Sequence, residues 1–298
     1  MTNPFPMRKL AACAALVGAA WLAPAGAHAQ AGYPDPESAA EAFVDAIRTQ
    51  DAAAKAKVLG KDWQTLVPPG TVDDADRAAF LRLAAERLNI SAVRDGVAEI
   101  NVGAIDVWTL PIPIVRDAQG QWRFDVVAGR ERIHERVIGA NELAAMQAML
   151  AFVDAQREYA LADRNGDGVL EYAQKLVSSP GRQDGLIWDA RRFGPSPLGP
   201  AFVPRKPGAG YHGYRFKLLT SQGPSAPGGA RDYRIGGRLL TGFALLGWPV
   251  EWGETGVMTF MVDHTGRLVE RDLGPQTSLI VQQILRYEPD PGWSVAKP

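Results

Sequence analysis

The chain has 298 residues, of which 46% are hydrophobic and 22% charged, and its 32 basic and 33 acidic side chains leave a formal net charge of −1. This composition excludes a disordered, collagen-like or multi-span membrane protein and indicates one or two globular domains. Because the chain has no excess of positive charge, we expect no nucleic-acid partner.

The first 29 residues have the order of a secretory signal peptide. Arg8 and Lys9 form a short basic region, residues 10–22 are apolar or small throughout, and Ala27-His28-Ala29 is a small-residue cleavage site. The apolar stretch is shorter than the roughly 20 residues that span a membrane. We therefore predict cleavage after Ala29, a periplasmic or secreted location, and no transmembrane span in the mature chain.

Cleavage at this position removes Cys13, the only cysteine of the chain. The mature protein would then contain no thiol, which excludes disulfides, thiolate nucleophiles and cysteine-ligated zinc. A chain of this length can bury a large core without such crosslinks.

From residue 33 to residue 138, the sequence predicts helices followed by a small antiparallel sheet. Apolar residues at helical spacing predict helices over 36–48, 51–59 and 74–88, and β-rich runs cover 97–107, 108–115 and 122–127. The helical opening, with Ala40-Glu41-Ala42-Phe43 and later Gln50-Asp51 before Leu59-Gly60, resembles the nuclear-transport-factor-two-like domains. Such folds host both enzymes and binding modules, so this resemblance does not fix a function.

A second domain is predicted from residue 139 to residue 298. A long amphipathic helix runs from Glu142 to about Ala162, and a Gly/Pro-rich stretch follows from Pro180. Later segments predict strands over 214–218, 235–250, 256–262 and 267–271, and a closing helix over 277–286. The expected fold class is therefore α+β, with a long helix packed on an antiparallel sheet in the C-terminal domain.

The run from Asp163 to Glu171 matches the start of a calcium loop of the EF-hand type. Short oxygen-bearing side chains alternate along it, and Gly168 lets the backbone turn so that a carbonyl can join them. The loop departs from the pattern at its twelfth position, where Gln174 replaces the bidentate glutamate, and a second helix is expected over 171–177. The alternative is a turn in which the same side chains bond local backbone amides. The predicted calcium ligands are Asp163, Asn165, Asp167, the Val169 carbonyl and Glu171.

Few residues support catalysis. His134, His212 and His264 lie far apart in the sequence without metal-binding spacing, and no Gly-x-Ser-x-Gly elbow surrounds Ser221 or Ser225. A hydrolase would use His212 or the acidic residues of 163–171. We assign no catalytic residue and keep a periplasmic hydrolase as the alternative function.

Motifs along the C-terminal part identify a family. They are, in order, Glu171-Tyr172-Ala173-Gln174-Lys175, Ser179-Pro180-Gly181, Asp184-Gly185-Leu186, Ser196-Pro197-Leu198-Gly199-Pro200, Tyr211-His212-Gly213-Tyr214, Gln222-Gly223-Pro224, Ala226-Pro227-Gly228-Gly229-Ala230 and Gly256-Val257-Met258-Thr259-Phe260. Together they are similar to the bacterial domain of unknown function 2950 family, over nearly the whole mature chain. The resemblance implies an exported, envelope-associated protein, and the family assigns no catalytic residues that could be carried over.

A second resemblance, to pilin-like domains, rests on the long helix, the Asp-rich loop after it and the strand pair Thr255-Gly256…Phe260…Gly266. A pilin needs its apolar helix at a processed N-terminus, so assembly into a pilus is not expected. The sequence thus predicts a non-catalytic binding or structural module with a structural calcium loop, and an envelope protein or a small ligand as its partner. An enzyme should instead show titratable groups converging in one deep pocket.

Overall fold

The structure, a computed structural model, describes residues 30–66, 72–105, 107–199, 202 and 210–298. The predicted signal peptide, residues 1–29, lies outside them. The chain divides into two compact units, the first ending at Val126 and the second beginning at Val127. Both units combine helices with antiparallel sheets, which confirms the predicted α+β class. The independent folding of two domains divided at residue 138 stays a prediction.

The first unit places three helices beside a five-stranded antiparallel sheet. Its elements are α1 (Pro36–Thr49), α2 (Ala52–Leu59), α3 (Asp74–Glu86), β1 (Leu88–Arg94), β2 (Val97–Val102), β3 (Trp108–Thr109), β4 (Ile114–Arg116) and β5 (Trp122–Phe124). The strand order is β1-β2-β4-β5, with β3 also paired to β2. The Asp35 side chain caps α1 by accepting the Ser38 N–H, and Phe43 of α1 packs on Phe124 with ring centroids 5.4 Å apart.

The second unit packs one long helix on a five-stranded antiparallel sheet. Its elements are α4 (Val126–Tyr159), α5 (Ala190–Phe193), β6 (Tyr214–Leu219), β7 (Ser221–Gln222), β8 (Arg231–Asp232), β9 (Arg234–Ile235), β10 (Arg238–Leu239), β11 (Ala244–Pro249), β12 (Met258–Asp263), β13 (Leu268–Asp272), α6 (Thr277–Gln283) and β14 (Ser294–Val295). The main sheet has the order β14-β13-β12-β11-β6. Every residue of β11 is buried, because α4 contributes to a core on one face of the sheet and Val281 of α6 belongs to a core on the other.

Several predicted boundaries are wrong. The long helix begins at Val126 rather than Glu142, and β5 correspondingly ends at Phe124. The segment 171–177 is not a helix, because Tyr172 forms a β-bridge with Leu239 and Val177 forms one with Ile187.

The predicted strand over 235–250 is interrupted. Gly236 and Gly237 both have positive φ angles and make the turn between β9 and β10, so the continuous strand begins only at Ala244. The strand β1 was not predicted, and it forms a hairpin with β2.

Among the described residues, α4 is the one helix whose length and composition would allow it to cross a membrane. Its C-terminal half lies in the core of the second unit, where Met149, Phe152 and Val153 are buried. The described part of the chain therefore contains no clear transmembrane span.

Candidate functional site

The loop after α4 folds around the carboxylate of Asp163. Its Oδ1 accepts the N–H of Gly166 at 2.8 Å, and its Oδ2 accepts the N–H of Gly168 at 2.7 Å. Both glycines have positive φ angles, which most other residues adopt only with strain. These hydrogen bonds, above all the one from Gly168, hold the pKa of Asp163 below its usual range.

The other predicted ligands gather in the same loop. The Asn165 amide nitrogen donates to Asp167 Oδ2 and to Glu171 Oε1, both at 2.9 Å, and the Val169 N–H donates to Asp167 Oδ1 at 3.0 Å. Arg238 of β10 forms an ion pair with Asp167 Oδ2 at 2.6 Å. Burial raises the pKa of Glu171, although the Arg238 charge opposes this rise.

The five residues predicted as calcium ligands are therefore close together, but they are bonded to one another and to Arg238. Gln174, at the twelfth position, instead donates to the Gly237 carbonyl at 2.9 Å. Within the described ranges, no group of three or more histidine, cysteine or acidic side chains is arranged to hold a metal. Calcium binding at this loop requires that the Arg238 guanidinium leave Asp167 and that the Asn165 amide turn its oxygen inward, and it stays a prediction.

The three histidines have unrelated surroundings. His134 Nε2 lies 2.7 Å from a backbone carbonyl, and the edge of the His212 ring faces a tyrosine ring at a centroid distance of 4.5 Å. His264 packs near aromatic rings, and burial lowers its pKa. No hydrogen bond between described residues joins a histidine to Ser221 or Ser225, so this part of the chain shows no histidine-activated serine.

A polar network not predicted from the sequence links Lys175, Ser179 and Asp184. The Lys175 ammonium donates to Asp184 Oδ2 at 2.6 Å and to Ser179 Oγ at 2.8 Å. The Ser179 hydroxyl and backbone N–H donate to the two oxygens of the same carboxylate, at 2.9 Å and 2.7 Å. Burial alone would raise the pKa of Asp184, but the hydrogen bonds from Lys175 and Ser179 lower it to about 2.

This network can order the loop, but it is not built to activate a nucleophile. The Lys175 nitrogen is a donor to both partners, and a carboxylate with a pKa of about 2 is a weak base for the Ser179 proton. The sequence did contain a signal for this network, because Lys175, Ser179 and Asp184 all lie in the family motifs around a Ser-Pro-Gly turn. Spacing alone did not show that they meet.

An apolar cavity of about 190 Å³ lies beside this network in the second unit. The segment 173–176 forms one wall, and Lys175 is the only charged residue among the described residues of the lining. The apolar side chains that line it from α4, β6, β11 and the loop before Pro200 include Ala148, Phe152, Leu198, Phe216, Leu218 and Leu245. The cavity can accept an apolar group, and the polar side chains in its described lining are those of Gln174 and Lys175.

The first unit has a groove of about 370 Å³ between α1 and α3. Its charged residues are Glu41, Asp45 and Arg48, and Arg48 is paired with Asp45 at 2.6 Å. Both members of that pair are more than half exposed, so the groove holds no desolvated charge suited to acid–base chemistry.

Comparison with known proteins gives one match. A family model described as Protein of unknown function (DUF2950) matches residues 30–296. No curated protein and no solved structure matches the chain. The likenesses to pilin-like and to nuclear-transport-factor-two-like domains therefore stay predictions.

Proposed function

The chain belongs to the DUF2950 family of proteins of unknown function, as its motifs indicated, and from this premise we propose that it is an exported, envelope-associated protein. We propose further that it is a non-catalytic binding or structural module. The observation that carries this proposal is the cavity of the second unit, because the one charged residue in the described part of its lining, Lys175, is already paired with Asp184. Binding sites are mostly apolar with few polar groups, whereas active sites gather titratable groups in one pocket.

A covalent-labelling experiment separates this function from a hydrolase that uses a serine activated by a base such as His212. A fluorophosphonate probe reacts with serine hydroxyls that a neighbouring base activates. We expect the folded full-length protein, purified from the periplasm, to be labelled no faster than the same protein unfolded in urea. Labelling that requires the native fold and is lost on His212→Ala or Ser179→Ala would establish the hydrolase.

Export would leave the residue that begins the mature chain bonded into the first unit. Gln30 follows the predicted cleavage site, and its amide nitrogen donates to the Val58 carbonyl at 3.0 Å and to the Phe124 carbonyl at 2.8 Å. A chain that starts at Gln30 therefore keeps a first residue bonded into the first unit. Intact-mass analysis of the periplasmic protein should place its start at or within a few residues of Gln30, and recovery with Met1 in a membrane pellet would contradict export.

Weak calcium binding by the loop 163–171 is a second part of the proposal. Four oxygen-bearing side chains and one carbonyl lie within nine residues, and extracellular calcium modules have dissociation constants on the order of 10⁻⁴–10⁻³ M. The bound ion would be structural, because it would tie the end of α4 to the segment that leads to the cavity.

A further inference from the structure

We propose that the apolar cavity of the second unit binds a small, largely apolar molecule that carries one uncharged oxygen acceptor, such as an alcohol. This inference rests on the proposed binding function and specifies its ligand class.

The volume and lining of the cavity suit an apolar body of about the size of a benzene ring. An apolar cavity of about 150 Å³ is large enough to bind benzene. This cavity measures about 190 Å³, and its walls include Phe152 of α4 and both Phe216 and Leu218 of β6. An apolar ligand therefore gains burial of its surface against these side chains.

The walls are held in place before any ligand arrives. Gln156 is fully buried, and its side-chain amide both donates to the Ala173 carbonyl and accepts the Ala173 N–H, each at 2.8 Å. Phe202 stacks on Tyr211 with ring centroids 5.2 Å apart and planes 7° from parallel. Binding therefore costs little ordering of the site, which favours affinity for a small ligand.

Lys175 favours an uncharged acceptor on the ligand. Lys175 lines the cavity, its side chain is 51% exposed, and an ammonium group can donate three hydrogen bonds, of which Ser179 and Asp184 accept two. The third donor is available to an oxygen of the ligand. Because the Asp184 carboxylate already balances the Lys175 charge at 2.6 Å, a ligand carboxylate would meet like charge, whereas an alcohol or carbonyl oxygen would not.

Benzyl alcohol and toluene test the proposal, since they share one apolar body and differ in the oxygen. We expect both to bind the full-length protein, with benzyl alcohol binding about tenfold more tightly because a hydrogen bond to a charged donor adds to the apolar contacts. In methyl NMR spectra, the signals of Leu198, Leu218 and Leu245 should shift on titration. The signals of Leu279 and Leu285, which are 66% and 68% exposed, should not.

Two substitutions assign the binding to the cavity and to Lys175. Ala148→Leu fills the cavity and should abolish binding of both probes, while Ala140→Leu, at an exposed position of the same helix, should leave both affinities unchanged. Lys175→Met keeps the length of the side chain but removes the donor, and should make the two affinities equal.

Two results would overturn the proposal: no shift of the cavity methyl signals by either probe at millimolar concentration, or equal affinities of the native protein for both. If Ala148→Leu fails to fold, the methyl shifts of the native protein alone show whether the probes bind in the cavity. Native-specific labelling by fluorophosphonate would refute the non-catalytic function but leave this binding result intact, so the two failures are distinguishable.

Discussion

One carboxylate oxygen of Asp167 has competing uses. In the structure, Oδ2 accepts from Arg238 at 2.6 Å and from Asn165 at 2.9 Å, whereas the sequence pattern assigns Asp167 to calcium. Arg238→Ala removes the competing cation and should therefore increase the rise in melting temperature that millimolar calcium produces. Calcium at about tenfold above its Kd would add about 1.4 kcal/mol to the free energy of unfolding. Thermal melts in calcium and in EDTA measure the difference.

A matched control for the calcium prediction is Arg234→Ala in the neighbouring strand β9. Arg234 lies 3.7 Å from Asp232, and both side chains are about half exposed or more, so its loss should not alter the calcium response. If the melting temperatures of the native protein and of Arg238→Ala are both indifferent to calcium and EDTA, the loop is only the hydrogen-bonded turn.

Asp184 should govern part of the acid sensitivity of the protein. Its pKa falls from 3.8 to about 2 on folding, so the stability it contributes is fully present above pH 3.8 and is lost as the pH falls toward 2. Asp184→Asn should lower the free energy of unfolding at neutral pH and make its decline between about pH 4 and pH 2 shallower. Urea titrations at several pH values measure this decline. Asp154→Asn removes a largely exposed carboxylate of α4 and should leave the decline of the free energy of unfolding at low pH unchanged.

At the scale of elements, the buried side chain of Gln156 links α4 to the segment that lines the cavity. Gln156→Met keeps the approximate shape of the side chain but leaves the buried N–H and carbonyl of Ala173 without partners. We expect it to lower the free energy of unfolding by about 2–4 kcal/mol, because each buried unsatisfied group costs about 1–3 kcal/mol. Gln147→Met, at an exposed position of α4, should change the value by less than about 0.5 kcal/mol in the same urea titrations.

The sequence predicts elements best where local chemistry and tertiary packing agree. The helix α1 begins where Asp35 caps it and Pro36 starts it, within one residue of the expected end at each side. The first part of α4 was not predicted as part of the long helix, and it contains Gly129 and Gly139, each of which disfavours a helix by about 1 kcal/mol relative to alanine. Such local preferences are overridden when the helix as a whole gains tertiary contacts.

Prediction of the site from the sequence is limited in the same way, by contacts that form only on tertiary packing. Proximity of the loop residues from Asp163 to Glu171 follows from their short spacing, so the sequence predicts it. The partners that complete the loop and the cavity come from distant positions: Arg238 reaches Asp167, and Gln156 reaches Ala173. Pairings of this kind depend on how strands and helices pack in space, and the periodicity of a single chain does not encode them.

At the scale of the whole molecule, the two compact units predict where the chain can be divided. A fragment of residues 127–298 contains all of α4 after its first residue, including His134, whose Nε2 lies 2.7 Å from the Gly253 carbonyl. In a fragment of residues 140–298, which begins one residue after the start of the second domain expected from the sequence, α4 would begin beside Glu142. The Glu142 carboxylate accepts the backbone N–H groups of Val257 and Met258, and a fraying first turn would weaken both bonds.

We therefore expect the fragment of residues 127–298 to unfold cooperatively. The fragment of residues 140–298 should melt at a temperature lower by about 4 °C, because a loss of roughly 1–2 kcal/mol in the free energy of unfolding produces a shift of this size in such a domain. Calorimetry on both fragments and on residues 30–126 measures this. Equal melting temperatures for the two longer fragments would show that the first half of α4 does not stabilise the second unit. If neither longer fragment nor residues 30–126 unfolds cooperatively, the two units depend on each other for stability, because a compact unit that folds alone must bury its own core.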